Sequence, residues 1–372
     1  MKILIVNYRD RLHPSAGGAE KHLHRIFSRI AARGHEVVLL TTSFPSAKAR
    51  EMVDGILVVR KGGDLTFQLT APLMVKKLDR EFSFDVVCED LNKLPLFVHW
   101  FVKKPFLVQM HHLWKGSIFY EASFLIAFFV WFFERLIPLF YRRERFAVVS
   151  PSTQGELTRL GIPQERISVI YNGADPGDRA EFRYSRKEGK PYFLWLSRVH
   201  RYKGIWIALE AFEKFSRMHP DVSLKIAGSG PELQKIPSWL KRKGLEDKVE
   251  LCGFVDSETK HSLMAGAICL LQTSRKEGWG LTVIEAAQNT CMTIASDVPG
   301  LRDSVVDGKT GFLFPVGDSS CCASLMEKIY EDETLRKSIS ENALLHAENF
   351  SWDRAATDTL HLLEKCVEEA RN

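Results

Sequence analysis

The stretch Glu277-Gly-Trp-Gly-Leu-Thr-Val-Ile-Glu285 places two carboxylates around a Gly278-Trp279-Gly280 turn that leads into an apolar, helix-like run from Leu281. A glycine turn that opens a helix bares backbone N–H groups, and such groups bind phosphate. Carboxylates accept hydrogen bonds from sugar hydroxyls. The stretch therefore suits a ligand with sugar on both sides of a phosphate, the layout of a nucleotide sugar. Either glutamate taken alone reads equally well as an exposed loop or helix residue.

Four further clusters sit where a strand ends or a helix begins. Gly17 and Gly18, in Ser15-Ala-Gly-Gly-Ala-Glu20, allow close backbone approach to a ligand, although a Gly-Gly pair is often only a turn. His111 and His112 follow an apolar run and stand where a strand's carboxyl end presents ligand-binding groups. A lone histidine there is more often a hydrogen-bonded structural group. Arg198 and Lys203, in Ser197-Arg-Val-His-Arg-Tyr-Lys-Gly204, offer a planar fork and a point charge for phosphate, or simply a solvated basic loop. Gly228 and Gly230, in Ala227-Gly-Ser-Gly230, form another glycine turn.

These clusters need a scaffold, and the pattern of the chain supplies one. Apolar, strand-like runs cover residues 2–7, 36–42, 56–59, 85–88, 105–110, 146–150 and 167–171, and again 191–197, 222–227, 249–252, 267–272, 292–296 and 311–314. Amphipathic helix candidates such as 20–33, 205–218 and 321–330 lie between them. This alternation predicts an α/β fold with parallel sheets covered by helices. A polar stretch without apolar period, residues 173–190, reads as a linker. We therefore expect two doubly wound, Rossmann-like domains facing a cleft. Ligands of such sheets bind at the carboxyl ends of the strands, which makes the cleft the expected site.

Composition bounds the chemistry. The 372 residues are enough for two cores. Seven scattered cysteines, with no Cys-X-X-Cys pair, fit a reducing compartment and give neither a disulfide framework nor a zinc site. The start is too short and too soon polar for a signal peptide, so a cytoplasmic location is expected. The net charge of +5 is uneven: residues 1–190 carry 29 Lys and Arg against 20 Asp and Glu, and the remainder 22 against 26. A basic first half suits an acidic partner, or is a solvated surface. Within it, residues 122–133 read Ala-Ser-Phe-Leu-Ile-Ala-Phe-Phe-Val-Trp-Phe-Phe and are soon followed by Tyr141-Arg-Arg-Glu-Arg145. Twelve residues are fewer than the ~20 that span a bilayer. An aromatic helix beside basic residues suits insertion into one leaflet, so residues 118–145 are expected to touch anionic membrane peripherally. A buried core helix would carry the same apolar run.

Together these pieces resemble glycosyltransferase family 4, a large group of retaining enzymes with the GT-B fold. Glu277 and Glu285 match its Glu-X7-Glu signature. Leu196-Ser-Arg-Val-His-Arg-Tyr-Lys-Gly204 resembles its Gly-Arg-Leu…Lys-Gly element, and Ala295-Ser-Asp-Val-Pro-Gly300 and Asp307-Gly-Lys-Thr-Gly-Phe-Leu-Phe-Pro315 resemble its downstream loops. Tyr171-Asn-Gly-Ala-Asp175 resembles the end of the family's first domain, and Phe350-Ser-Trp352 the start of its last helices, which cross back to that domain. The motifs cover nearly the whole chain in the family's order. The resemblance implies an N-terminal acceptor-side domain at 1–180, joined by a returning helix at about 352–372, and a nucleotide-sugar domain at 181–351.

The resemblance also implies roles. Glu285 holds the ribose hydroxyls and Glu277 the transferred sugar. The backbone of Gly278, Trp279, Gly280 and Leu281 meets the diphosphate, with Arg198 and Lys203 balancing its charge. Gly17, Gly18 and Gly228 lie near the donor, and His111 near the anomeric carbon, with His112 as the reserve. The donor would be a UDP-, GDP- or ADP-sugar, and the acceptor a hydroxyl on a lipid-linked or cell-envelope glycan at the inner face of the membrane. Transfer would occur on one face of the sugar, with the leaving phosphate helping to take the acceptor's proton. No cofactor or metal is expected, in keeping with the lack of an Asp-X-Asp triplet. One departure is Gln288-Asn-Thr-Cys-Met292, where the family usually has Gly and Pro.

Two other functions compete: a nucleotide-sugar 2-epimerase, which needs no acceptor, and a non-catalytic nucleotide-sugar-binding subunit. A nicotinamide dehydrogenase is disfavoured because no Gly-X-Gly-X-X-Gly follows the first strand. Charge alone supports no nucleic-acid partner.

Overall fold

The computed structural model describes residues 1–64, 66–91, 94–174 and 190–371, so most of the expected linker, and Asp175, lie outside the described residues. The chain divides into two compact units. Unit 1 comprises Met1–Gly116, Leu125–Gly173 and Ser351–Asn372, and unit 2 comprises Ser117–Phe124 and Ala174–Phe350.

Unit 1 is built on an eight-stranded sheet in the order β3-β4-β2-β1-β5-β6-β7-β8. Its strands are β1 (Lys2–Val6), β2 (Glu36–Thr41), β3 (Arg50–Val53), β4 (Ile56–Arg60), β5 (Val86–Asp90), β6 (Phe106–Met110), β7 (Arg145–Val148) and β8 (Ile167–Val169). Ile3, Leu4, Ile5 and Val6 are fully buried, as a parallel strand covered on both faces must be. The sheet is parallel except for β3, which the sequence pattern did not indicate. β3 and β4 form an antiparallel hairpin through Asp54 and Gly55, whose φ values of 53° and 79° give the left-handed pair that tight hairpins favour. The helices include α1 (Gly18–Ala32), α2 (Phe67–Phe82), α3 (Phe124–Tyr141) and α4 (Pro151–Leu160). The last helix, Trp352–Arg371, packs on α1, where Arg29 Nε donates to Asp353 at 2.9 Å and Arg33 Nη1 to Thr357 at 3.0 Å.

The apolar segment at 122–133 enters α3 at Phe124, and the helix runs on to Tyr141 through Glu134 and Pro138 and is 18 residues long. It is neither wholly core nor wholly exposed. Ala127, Val130, Glu134, Ile137 and Tyr141 form a buried stripe, while Phe124, Leu125, Ile126, Phe128, Phe129, Phe132 and Leu139 are exposed. The spacing of the stripe is that of one helix face.

Unit 2 is a six-stranded parallel sheet in the order β11-β10-β9-β12-β13-β14. The strands are β9 (Tyr192–Leu196), β10 (Ser223–Ala227), β11 (Val249–Gly253), β12 (Leu270–Gln272), β13 (Thr293–Ser296) and β14 (Gly311–Phe314). Phe193, Trp195, Phe212, Phe215 and Phe314 anchor its core. In both units the candidate loops follow the carboxyl ends of strands, the end at which parallel sheets bind ligands.

Candidate active site

In unit 2 the loop after β9 carries Arg198 and Lys203, and the loop after β12 carries Glu277. The two meet. Lys203 Nζ lies 2.5 Å from Glu277 Oε1, and both side chains are almost buried. Gln272 Nε2 and Ser274 Oγ also donate to Glu277 Oε1, at 2.9 and 2.8 Å. Burial alone would lower the Lys203 pKa, but the carboxylate of Glu277 outweighs it and holds the ammonium above its ordinary range. Arg198 is held beside Lys203 through Tyr202, whose hydroxyl accepts from Arg198 Nη2 at 2.8 Å and whose ring lies 5.0 Å from Lys203 Nζ.

The helix Leu281–Gln288 begins at Gly280, which has φ +88°. A Cβ there would stand 2.9 Å from Leu301 Cδ2. Gly300, at φ +86°, lies so close to the Glu277 backbone that a Cβ would meet its carbonyl oxygen at 2.5 Å. The downstream loop that ends at Gly300 thus buttresses the glycine turn. Trp279 is buried, its ring 4.9 Å from that of Phe350, so the residue contributes backbone rather than side chain to the turn's outer surface. The amide of Val283 bonds Gly280 O at 2.9 Å, the two amides before it have no carbonyl one turn earlier within the helix, and the helix dipole adds positive potential there. Glu285, one turn in, is buried and pairs with Lys260 at 2.9 Å. Gly228 closes on the Arg198 loop, where a Cβ would meet Ser197 O at 1.9 Å.

Sequence reasoning missed Lys260, Gln272, Ser274 and Glu121. Glu121 accepts from Tyr202 N at 3.0 Å and lies 2.9 Å from His200 Nδ1, and so fixes the loop bearing Arg198 and Lys203. A carboxylate beside a distant basic loop leaves no local pattern to read.

In unit 1, Gly17 precedes α1 and donates its N–H to Glu20 at 2.6 Å. Gly18 opens the helix with free space where a side chain would stand. His111, at the end of β6, points Nε2 at Asp90 Oδ2 at 3.3 Å and packs edge-on to His22, with ring centroids 4.7 Å apart. Burial would lower its pKa, but Asp90 and then Glu20 raise it above the ordinary value. His22 is the reverse case: burial, then the charge of His111, push its pKa down to about 3, and its Nδ1 lies 2.6 Å from Asn172 Oδ1. His112 turns instead to the Trp114 ring, 4.9 Å away. Glu134 reaches from α3 to accept the amides of Trp114 and Lys115 at 2.5 and 2.8 Å, and so pins the loop after His111. The sequence groups Gly17, Gly18 and the histidines only by position, whereas Asp90 comes from the end of β5, His22 from within α1 and Glu134 from α3.

Two doubly wound units in tandem, with these loops at their strand ends, define a GT-B glycosyltransferase. The family model described as Glycosyltransferase Family 4 matches residues 16–178, and that described as Glycosyl transferases group 1 matches residues 178–346. The chain belongs to glycosyltransferase family 4. It is 25% identical to a glycogen synthase of Mycobacterium tuberculosis over 96% of this chain and 93% of that one. Among solved structures it is similar to sucrose-phosphate synthase from Thermosynechococcus elongatus, with a TM-score of 0.80, 22% identity and 98% of each chain covered. It is also similar to Anabaena HepE, solved with UDP-glucose, with a TM-score of 0.77, 20% identity and coverage of 98% of this chain and 100% of that one. The epimerase and binding-subunit readings are thereby set aside in favour of a glycosyltransferase.

Proposed function

We propose that the protein is a retaining transferase that moves a hexose-type sugar from a nucleoside-diphosphate sugar to a hydroxyl of a lipid-linked or cell-envelope glycan. The observation that carries this reading is the Lys203–Glu277 pair beside the glycine turn at Gly280. Negative charge grows on the leaving diphosphate as the bond to the sugar breaks, and fixed cations and amides lower that barrier most. Arg198, Lys203 and the helix start at Gly280 supply them from the protein, so transfer proceeds without a metal or cofactor. Glu277 holds the sugar and Glu285 the ribose. Gly17, Gly18 and His111 complete the donor and acceptor sides, and the leaving phosphate takes the acceptor's proton on the same face. The UDP-glucose held by Anabaena HepE supports a nucleotide-sugar donor.

The exposed apolar face of α3, followed by Arg142 and Arg143, supports a peripheral seat on the anionic inner face of the membrane. The test is a panel of UDP-, GDP- and ADP-sugars scored for binding, for nucleoside diphosphate release and for the anomeric configuration of the product. One donor giving a retained product is expected; no binding across the panel, or an inverted product, overturns the reading. Flotation on anionic liposomes is expected, and failure to float with or without anionic lipid overturns the membrane seat.

A further inference from the structure

At the N-terminal ends of β5, β6, β7 and β8, unit 1 has a cavity of about 720 Å³. It lies at the opposite end of these strands from His111 and holds none of the residues assigned to the donor or the acceptor. Six cationic side chains line it, Lys103, Lys104, Arg143, Arg145, Arg166 and Arg371, against three carboxylates. Two of those carboxylates are already engaged. Glu369 pairs with Arg145, Nε donating at 2.7 Å, and Asp85 accepts from Lys2 N at 2.7 Å. The third, Glu144, has its pKa raised by burial, which Arg166 only partly opposes. Lys104 lies 3.3 Å from Asp79, but Lys103, Arg143 and Arg371 have no carboxylate partner among the described residues.

Two segments lead into this cavity, and both change character in the same direction. Trp100-Phe-Val-Lys-Lys104 runs from two exposed aromatic residues to two lysines that line the cavity. Leu139-Phe-Tyr-Arg-Arg143 runs from the exposed end of α3 to a lining arginine. The segments touch where they are apolar: the Trp100 and Phe97 rings lie 5.5 and 5.1 Å from that of Phe140. An apolar surface that passes within a few residues into a cationic cavity matches the order of a bilayer leaflet, acyl chains first and phosphate next.

We propose that this cavity binds the phosphate headgroup of an anionic membrane lipid, with Lys103 and Arg143 as its principal cations. Arg143 offers a fork for two phosphate oxygens and Lys103 a mobile point charge. Exposed Trp100 and Phe101 lie beside the lipid's acyl chains. The proposal rests on the membrane seat proposed above, and extends it from a general charge attraction to a defined headgroup site away from the catalytic loops.

The test uses the full chain and dihexanoylphosphatidylglycerol below its micelle concentration, so that no bilayer is present, with binding read by calorimetry. Wild type is expected to bind saturably. The pair Lys103→Ala and Arg143→Ala should weaken binding at least about tenfold, while Lys76→Ala and Lys77→Ala, which remove the same charge from α2, should leave it unchanged. Absence of saturable binding, or equal loss in both pairs, overturns the site. Inorganic phosphate binding as tightly as the lipid overturns the lipid assignment. Flotation separates the two readings. A chain that floats on anionic liposomes without binding the monomer loses the headgroup site and keeps the membrane seat. A chain that binds the monomer without floating keeps the site and loses the membrane seat.

Discussion

Lys203 Nζ and Glu277 Oε1 lie 2.5 Å apart, so the cation assigned to the leaving diphosphate is held by the carboxylate assigned to the sugar. With the proposed roles, donor binding divides that pair: the diphosphate would attract Lys203, and the sugar hydroxyls would engage Glu277. Gln272 and Ser274 also donate to Glu277, so the carboxylate keeps two protein partners besides Lys203.

Replacing the carboxylate separates these two functions. Glu277→Gln frees Lys203 from its ion pair, and the free nucleoside diphosphate is expected to bind about tenfold tighter, a gain of about 1.4 kcal/mol. Transfer from the intact donor is expected to slow by at least about a hundredfold, because the contact with the sugar is lost. Calorimetry with the product nucleotide and a turnover assay with the donor check the two halves.

Glu134 is expected to matter for the His111 loop rather than for the apolar face of α3. Glu134→Ala removes the acceptor of the Trp114 and Lys115 amides and should cost about 2–4 kcal/mol in urea unfolding. Glu134→Gln, which keeps one carbonyl acceptor, should cost about half of that. Hydrogen exchange at residues 113–116 should rise in the alanine variant before it rises in β6.

The turn after Glu285 contains a visible strain. Thr290 holds φ +55°, and the amides of Asn289, Thr290 and Cys291 close the end of the helix onto Ala286 and Ala287. A β-branched residue is costly in this left-handed position. Thr290→Gly is expected to stabilise the protein by about 1 kcal/mol, measured as a higher urea midpoint with an unchanged slope.

Acid should weaken unit 1 through His22. Its folded pKa, about 3, lies below the unfolded value near 6.5, so its contribution is complete above pH 6.5 and is lost as pH falls toward 3. Between pH 8 and pH 5 this amounts to about 2 kcal/mol. His22→Gln keeps a partner for Asn172 but cannot take up the proton. Its stability should therefore fall less over that range, as unfolding curves at the two pH values would show.

The sequence made the repeating scaffold legible because buried parallel strands are apolar along their whole length. It hid β3, whose Arg-Glu-Met-Val run is a polar edge, although Asp54-Gly55 is a hairpin signal that could have been used. It also hid the true length of α3. The apolar run stops at Phe133, and only the bonds of Glu134 to amides about twenty residues earlier explain a carboxylate inside that helix. The same holds for the site. Glu277, Lys203 and Arg198 stand out as candidates by type and position, and the structure brings Lys203 to Glu277, but Asp90, Glu121 and Lys260 make their contacts across the fold and leave no spacing to detect.

The central claim is that Arg198 and Lys203 stabilise the departing diphosphate, and the most direct measurement is the single-turnover rate of nucleoside diphosphate release from the donor that the panel identifies. For Arg198→Ala and Lys203→Ala the account predicts a fall of at least about a hundredfold at saturating donor, with a smaller change in donor affinity. Full turnover in either variant would contradict it.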